Sequence, residues 1–267
     1  MKKLRINSKG PSPELACRDE GAGLPIIFLH AFPLSQRMWD EQITAFSLAN
    51  RVITFDWRGF GESELCGDSF LMETFADDLA GLMDGLKIDR AVVCGLSMGG
   101  YAAFAFYRKY ADRVAALILS DTRAGTDTEE GKRGRYEMAD KALQTGSSAI
   151  AEIVISKLLG PLTLQHKPQV IATVKAVIAA NRPEAIAAAQ RGMAERQDST
   201  DLLSKISCPT LIIVGSDDAL TPPSEAEKMH NQIPGSTFVI INQAGHLPNL
   251  EQPEEFNRVV ADFLKQL

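Results

Sequence analysis

The sequence is short of the features that announce several common functions. It has four cysteines in 267 residues, Cys17, Cys66, Cys94 and Cys208, and no two stand in a CxxC or other metal-binding spacing. That usage excludes the usual zinc-site signatures and reads as a reduced, cytoplasmic protein. No apolar run approaches the roughly 18 residues that span a bilayer, so no membrane partner is expected. The basic start, Met1-Lys2-Lys3-Leu4-Arg5-Ile6-Asn7, lacks the apolar stretch of a secretory signal. Positive charge is in the minority, 28 Lys and Arg against 34 Asp and Glu for a net charge of −6, which argues against a nucleic-acid partner. Gly59 and Gly61 stop short of a dinucleotide-binding glycine fingerprint. There is no internal repeat and no low-complexity tract.

What remains is an ordinary globular composition, 45% hydrophobic and 23% charged, long enough for one large core or one core plus a small accessory domain. Short apolar runs alternate with helical patterns. Lys3 to Asn7 and Glu14 to Arg18 read as a hairpin around Lys9-Gly10-Pro11-Ser12-Pro13. Strands are predicted over Leu24 to Leu29, Arg51 to Phe55, Ala91 to Gly95, Val114 to Leu119, Thr210 to Val214 and Thr237 to Ile241. Between them, Met38, Ile43 and Phe46 mark one helix, and Leu71, Phe75, Leu79, Leu82, Met83 and Leu86 another. Thr221-Pro222 reads as a helix start, with a capping hydroxyl and proline at the first helical position. Pro253 opens a last helix with Phe256, Val259, Val260 and Phe263 on its apolar face. Such alternation predicts an α/β fold, a mostly parallel eight-stranded sheet flanked by helices. Residues 124–198 break the rhythm and read as an all-helical insertion, leaving 1–123 and 199–267 as the core. Ile150, Ile153, Val154 and Leu158 fit one helix there. Val170, Val174, Val177 and Ile178 fit a second, and Asn181-Arg182-Pro183 separates it from an alanine-rich third.

One stretch carries the chemistry. Val92-Val93-Cys94 leads into Gly95-Leu96-Ser97-Met98-Gly99, and a helical pattern follows. A strand, a sharp turn and a helix around G-x-S-x-G force the serine into a strained backbone with its hydroxyl exposed. Gly95 and Gly99 sit where a Cβ would strike the chain. The helix aims free N–H groups and partial positive charge at the site. A serine hydroxyl is a poor nucleophile near pH 7 and needs a base. Of the four histidines, His246 follows the last strand and falls over the same sheet edge as Ser97. His166 and His230 lie in helical stretches and read as solvated. His30 reads as a structural residue tying down the loop after its strand, and Cys94 as a small buried filler.

Five stretches carry a resemblance that runs from about residue 14 to 266. They are Leu29-His30-Ala31-Phe32-Pro33, Asp56-Trp57-Arg58-Gly59-Phe60-Gly61-Glu62-Ser63, Gly95-Leu96-Ser97-Met98-Gly99-Gly100, Gly215-Ser216-Asp217-Asp218-Ala219-Leu220-Thr221-Pro222 and Gly245-His246-Leu247-Pro248-Asn249-Leu250-Glu251. The chain resembles the α/β-hydrolase superfamily with a helical cap, in style similar to 3-oxoadipate enol-lactonases and small carboxylesterases. The resemblance implies a triad in the order Ser97, Asp218, His246. Asp121 is the competing acid, and Asp217 a third candidate. It implies an oxyanion hole built from the backbone N–H groups of Met98 and Phe32, with Arg58 to Ser63 a structural loop beside the site. His30-Ala31 stands where the superfamily has His-Gly, and alanine tolerates a positive φ less well than glycine.

The expected activity is that of a serine hydrolase acting on a small-molecule ester or lactone through an acyl-enzyme, with no metal or organic cofactor. Cleavage of a C–C bond or thioester, and perhydrolysis, use the same three residues. A slow-turnover ligand sensor on the same fold is the alternative from another class. Arg123, Lys132, Arg133 and Arg135 are candidates to meet a substrate carboxylate, against a reading as solvated charges. Homo-oligomerisation is left open by the sequence.

Overall fold

A computed structural model describes residues 1–7, 12–67 and 70–267. Eight strands form one sheet: β1 (Lys2–Arg5), β2 (Glu14–Glu20), β3 (Pro25–Leu29), β4 (Arg51–Phe55), β5 (Ala91–Leu96), β6 (Val114–Ser120), β7 (Thr210–Gly215) and β8 (Thr237–Ile241). Their order across the sheet is β1-β2-β4-β3-β5-β6-β7-β8. The pairs β1–β2 and β2–β4 are antiparallel, and every later pair is parallel. Most of the predicted turn Lys9-Gly10-Pro11-Ser12-Pro13 lies outside the described residues, but the two strands it joins are paired from Lys2 with Cys17 to Arg5 with Glu14.

The helices are α1 (Asp40–Phe46), α2 (Met72–Gly85), α3 (Met98–Tyr110), α4 (Glu129–Thr145), α5 (Ser147–Leu158), α6 (Pro161–His166), α7 (Pro168–Ala179), α8 (Pro183–Ala194), α9 (Thr200–Leu203), α10 (Pro223–His230), α11 (Pro248–Glu251) and α12 (Pro253–Leu264). The parallel strands are apolar throughout because both faces are covered. Ile27, Leu29, Val93, Leu117 and Ile212 pack with Phe75, Leu79, Phe104 and Met229 of α2, α3 and α10. On the opposite face Ile26, Phe28, Cys94, Ile118 and Ile213 pack with Ile43, Phe256, Val260 and Phe263 of α1 and α12. Cys94 is fully buried there, as its sequence context predicts.

Helices α4 to α8 all fall between β6 and β7. One anchor to the rest of the chain is Asn181, between α7 and α8. Its Nδ2 donates to the carbonyls of Pro33 at 2.8 Å and Leu34 at 3.2 Å, and its Oδ1 accepts from the Gly61 N–H at 2.7 Å. One amide thus ties this helical segment to the loops that follow β3 and β4. No helix among the described residues is long and apolar enough to cross a membrane.

Two expectations need correction. The helix after β7 begins at Pro223 with Pro222 as its cap, one residue later than predicted, and no side chain caps it. The Thr221 hydroxyl is engaged elsewhere, as described below. Ala31 is not among the positive-φ residues, so replacing glycine by alanine there introduces no left-handed strain.

Candidate active site

The site assembles at the carboxyl ends of the parallel strands, where an open α/β sheet leaves a crevice. Ser97 is the hinge between β5 and α3, with φ 56° and ψ −113°. A non-glycine residue held there costs about 1–3 kcal/mol, so its surroundings must fix it. The Ser97 N–H donates to the Ser120 carbonyl at 3.0 Å, and its own carbonyl accepts from the Thr122 hydroxyl at 2.9 Å and the Gly100 N–H at 2.8 Å. A Cβ on Gly95 would lie 2.3 Å from the Gly99 carbonyl oxygen, and one on Gly99 would lie 2.2 Å from that of Leu29. The two glycines therefore let β3, β5 and α3 close up beneath the serine.

His246 stands in the loop between β8 and α11. Its Nε2 is 2.8 Å from Ser97 Oγ and its Nδ1 2.8 Å from Asp218 Oδ2. An ionised carboxylate only accepts, so Nδ1 carries the proton and Nε2 faces the serine hydroxyl as an acceptor. The structure thus brings together the three side chains that the sequence analysis joined, from positions up to 149 residues apart.

Asp218 is buried and saturated with donors. Its Oδ1 accepts from the Leu220 N–H at 2.8 Å and the Thr221 N–H at 3.1 Å, and its Oδ2 from the Thr221 hydroxyl at 2.6 Å. Burial pushes its pKa up, but the charge and hydrogen bond of His246 and the donors of Thr221 outweigh burial and hold it below the usual carboxylate range. Asp121, the competing acid, is also buried, yet it pairs differently: Oδ2 accepts from the Ser120 hydroxyl at 2.6 Å and Oδ1 from the Gly215 N–H at 2.9 Å. Burial, and then the neighbouring Asp218 charge, raise its pKa well above the ordinary value. Asp217 is exposed.

Asp121, Asp218 and His246 offer oxygen and nitrogen atoms within 4.8 Å of one another, the spacing of a metal site. Their donors and acceptors are already committed to each other and to the backbone, so the cluster fits a proton-sharing group better than a cation cage. Met98 heads α3, so its N–H is among those left without an intrahelical acceptor. Phe32, in the loop after β3, lines the cavity above Ser97.

The remaining histidines divide. His30 is fully buried; its Nε2 accepts from the Trp57 N–H at 3.1 Å and its Nδ1–H donates to the Ala31 carbonyl at 3.0 Å. It ties the β3 loop to the β4 loop, the structural role expected of it. His166 is exposed. His230 is not simply solvated: it bonds the Ser236 hydroxyl at 2.9 Å and stacks on Phe238. In the loop after β4, Arg58 makes a buried two-pronged pair with Asp78, which suits a structural role.

Two residues that support the site were missed. Thr221 was assigned to a helix cap, and its hydroxyl instead serves Asp218. Glu251 is buried behind His246, where Oε1 accepts from the Gly245 N–H at 2.8 Å and Oε2 from the Gly160 N–H at 2.7 Å. It joins the histidine loop to the end of α5. A carboxylate whose targets are backbone amides, one of them 91 residues away, leaves no side-chain pattern to find.

Above Ser97 and His246 lies a cavity of about 230 Å³. Its walls include Arg135 and Met138 of α4, Val154, Lys157 and Leu158 of α5, and Gln190 and Met193 of α8. Arg123 also lines it, whereas Arg133 is exposed and Lys132 reaches toward Glu129 at 3.9 Å.

Comparison with known proteins agrees with this architecture. The family model for the alpha/beta hydrolase fold matches residues 25–253. The chain is 31% identical over 245 residues to 3-oxoadipate enol-lactonase 1 of Acinetobacter baylyi, covering 91% of this chain and 89% of that one. A thermophilic esterase from Thermogutta terrifontis, solved with malate bound, superposes with a TM-score of 0.96 at 46% identity, covering 99% of this chain and 98% of the other. The enol-lactonase from Burkholderia xenovorans superposes with a TM-score of 0.91 at 29% identity, covering 99% and 100%. The matched stretch runs from β3 to the start of α12 and takes in Ser97, Asp218 and His246, so the chain belongs to the alpha/beta hydrolase fold family.

Proposed function

We propose that the protein hydrolyses a small carboxylic ester or lactone through an acyl-enzyme on Ser97. The observation that carries this reading is the unbroken chain from Ser97 Oγ to His246 Nε2 and from His246 Nδ1 to Asp218, each link 2.8 Å. Ser97 Oγ attacks the carbonyl carbon and its proton passes to His246 Nε2. Asp218 holds the imidazole in the right tautomer and stabilises the imidazolium without taking the proton. The N–H groups of Met98 and Phe32 bind the oxyanion. Collapse breaks the ester C–O bond, and His246 returns the proton to the departing alkoxide. In a lactone that alkoxide stays tethered to the acyl group. Water then attacks the acyl-enzyme with His246 again as base, which frees the acid and restores Ser97. In this reading residues 124–198 form a cap on a core of 1–123 and 199–267, and the cap sets substrate choice.

The esterase and enol-lactonases among the relatives act on the bond types this chemistry handles. A panel of short p-nitrophenyl esters and lactones, assayed with wild type and Ser97→Ala, tests the reading. Ser97-dependent turnover is expected. Rates equal to buffer, together with ligand-induced thermal stabilisation, would identify a sensor instead.

A further inference from the structure

Three arginines converge on one carboxylate in the wall of the cavity. Asp127 lies between β6 and α4, with its side chain 4% exposed. It accepts from Arg123 of the segment after β6, from Arg135 of α4 and from Arg196 beyond α8. Three positive charges against one negative leave the cluster with a surplus of two. Arg196 is not among the residues that line the cavity, and although its Nε, like that of Arg123, has no hydrogen-bond partner among the described residues, its two terminal nitrogens are engaged. It donates to the carbonyls of Met193 and Gly125, both at 2.9 Å, and its guanidinium lies 4.3 Å over the Tyr101 ring.

Arg123 and Arg135 differ, because both line the cavity that holds Ser97 and His246. Lys157 lines it from α5, and no aspartate or glutamate is among the described residues that do so. The Arg123 Nε–H is buried and has no hydrogen-bond partner among the described residues. Two guanidiniums that share a single carboxylate with a third, beside a cavity lined by no other acid among the described residues, are under-compensated, and an anion bound there would complete the balance. Asp127 cannot supply that charge, since Arg196 already shares it. What it does supply is alignment: Asp127 holds Arg123 through Nη2 and Arg135 through Nε and Nη2, and Gln190 Oε1, also in the cavity wall, accepts from Arg135 Nη1 at 3.1 Å.

The geometry points to a carboxylate subsite made by Arg123 and Arg135, so that the substrate is an ester or lactone bearing a second carboxylate and its product is a dicarboxylate. This rests on the hydrolase reading above. Burial pushes Asp127 up, but the hydrogen bonds from Arg196 and Arg135 outweigh it and keep the carboxylate ionised, so the clamp persists across the working pH range.

The test compares monomethyl succinate with methyl butyrate, esters of similar size that end in a carboxylate and a methyl group. Acid release is followed by titration at constant pH. Wild type should show a kcat/KM at least about tenfold higher for the half-ester. In Arg135→Met that ratio should fall by about tenfold or more, chiefly through KM, and Arg135→Lys should restore part of it. Raising the salt to roughly 0.5 M should weaken only the half-ester reaction. Equal or better turnover of methyl butyrate by wild type, or an unchanged ratio in an Arg135→Met protein that melts like wild type, would overturn the subsite. Should Arg135→Met not fold, inhibition of wild-type methyl butyrate turnover decides. Succinate should compete and butyramide should not; equal effects of the two would overturn the proposal. Failure to hydrolyse either ester would instead strike the hydrolase reading itself.

Discussion

The buried carboxyls of Asp121 and Asp218 share one site, an oxygen of each within 4.8 Å of the other, yet their pKa values move in opposite directions, Asp121 well up and Asp218 down. Two carboxylates this close repel, so the proton is favoured on Asp121, which burial and the Asp218 charge push up, while His246 and Thr221 hold Asp218 down. Asp121 makes no contact with His246 in the relay, and an asparagine can keep its acceptor bond from the Gly215 N–H. Asp121→Asn should therefore lower kcat/KM by less than about tenfold. Asp218→Asn removes the charge that orients the imidazole and should cost on the order of 10⁴. Steady-state kinetics on the two variants check this. The reverse ranking would reassign the acid.

Thr221 is predicted to matter through its hydroxyl alone. Thr221→Val keeps the shape and the N–H to Asp218 while removing the 2.6 Å bond to Oδ2. A hydrogen bond to a charged group is worth about 1.5–3 kcal/mol, so a fall of about ten- to a hundredfold in kcat/KM is expected with the fold intact. Circular dichroism and kinetics on the same sample separate the two effects.

Glu251 should show the opposite balance of stability and activity. Glu251→Gln replaces one acceptor oxygen by a donor that faces a backbone N–H. The loss should lower unfolding free energy by about 1–3 kcal/mol and loosen the His246 loop. Urea titration measures the first effect, and kcat measured well below the melting temperature the second.

His30 makes stability depend on acid. Burial pushes its pKa down to about 4, against the opposing hydrogen bond to Ala31. The unfolded chain takes up this proton near pH 6.5, while the fold resists it until about pH 4. Its contribution is therefore complete above pH 6.5, is lost as pH falls from 6.5 toward 4, and changes no further below that. The loss amounts to about 3 kcal/mol. His30→Gln, which can still accept from Trp57, should flatten this limb of the stability curve in urea melts run across that range.

Much of this was legible in residue order because it is local. The strands announce themselves as short apolar runs, and the Gly95-Leu96-Ser97-Met98-Gly99 turn fixes its own geometry through two glycines. α4 was harder to read: it lies on the surface and buries only Ala139 and Ala142, so no apolar stripe marks it. Asn181, Glu251 and Asp127 escaped notice for a different reason. Each has at least one partner tens of residues away, Gly61 and Pro33 for Asn181, Gly160 for Glu251 and Arg196 for Asp127, and such contacts exist only once the chain has closed. Thr221 was misread because a hydroxyl before two prolines looks like a helix cap until Asp218 is seen beside it.

The most direct test is to trap the acyl group. Wild type and Ser97→Ala are mixed with a slowly released ester, quenched in acid and measured by intact and peptide mass spectrometry. One acyl group on the peptide bearing Ser97 is expected, absent from the alanine variant, whose turnover should fall by on the order of 10⁶. Undiminished hydrolysis by Ser97→Ala, or an acyl group on another residue, would contradict the account.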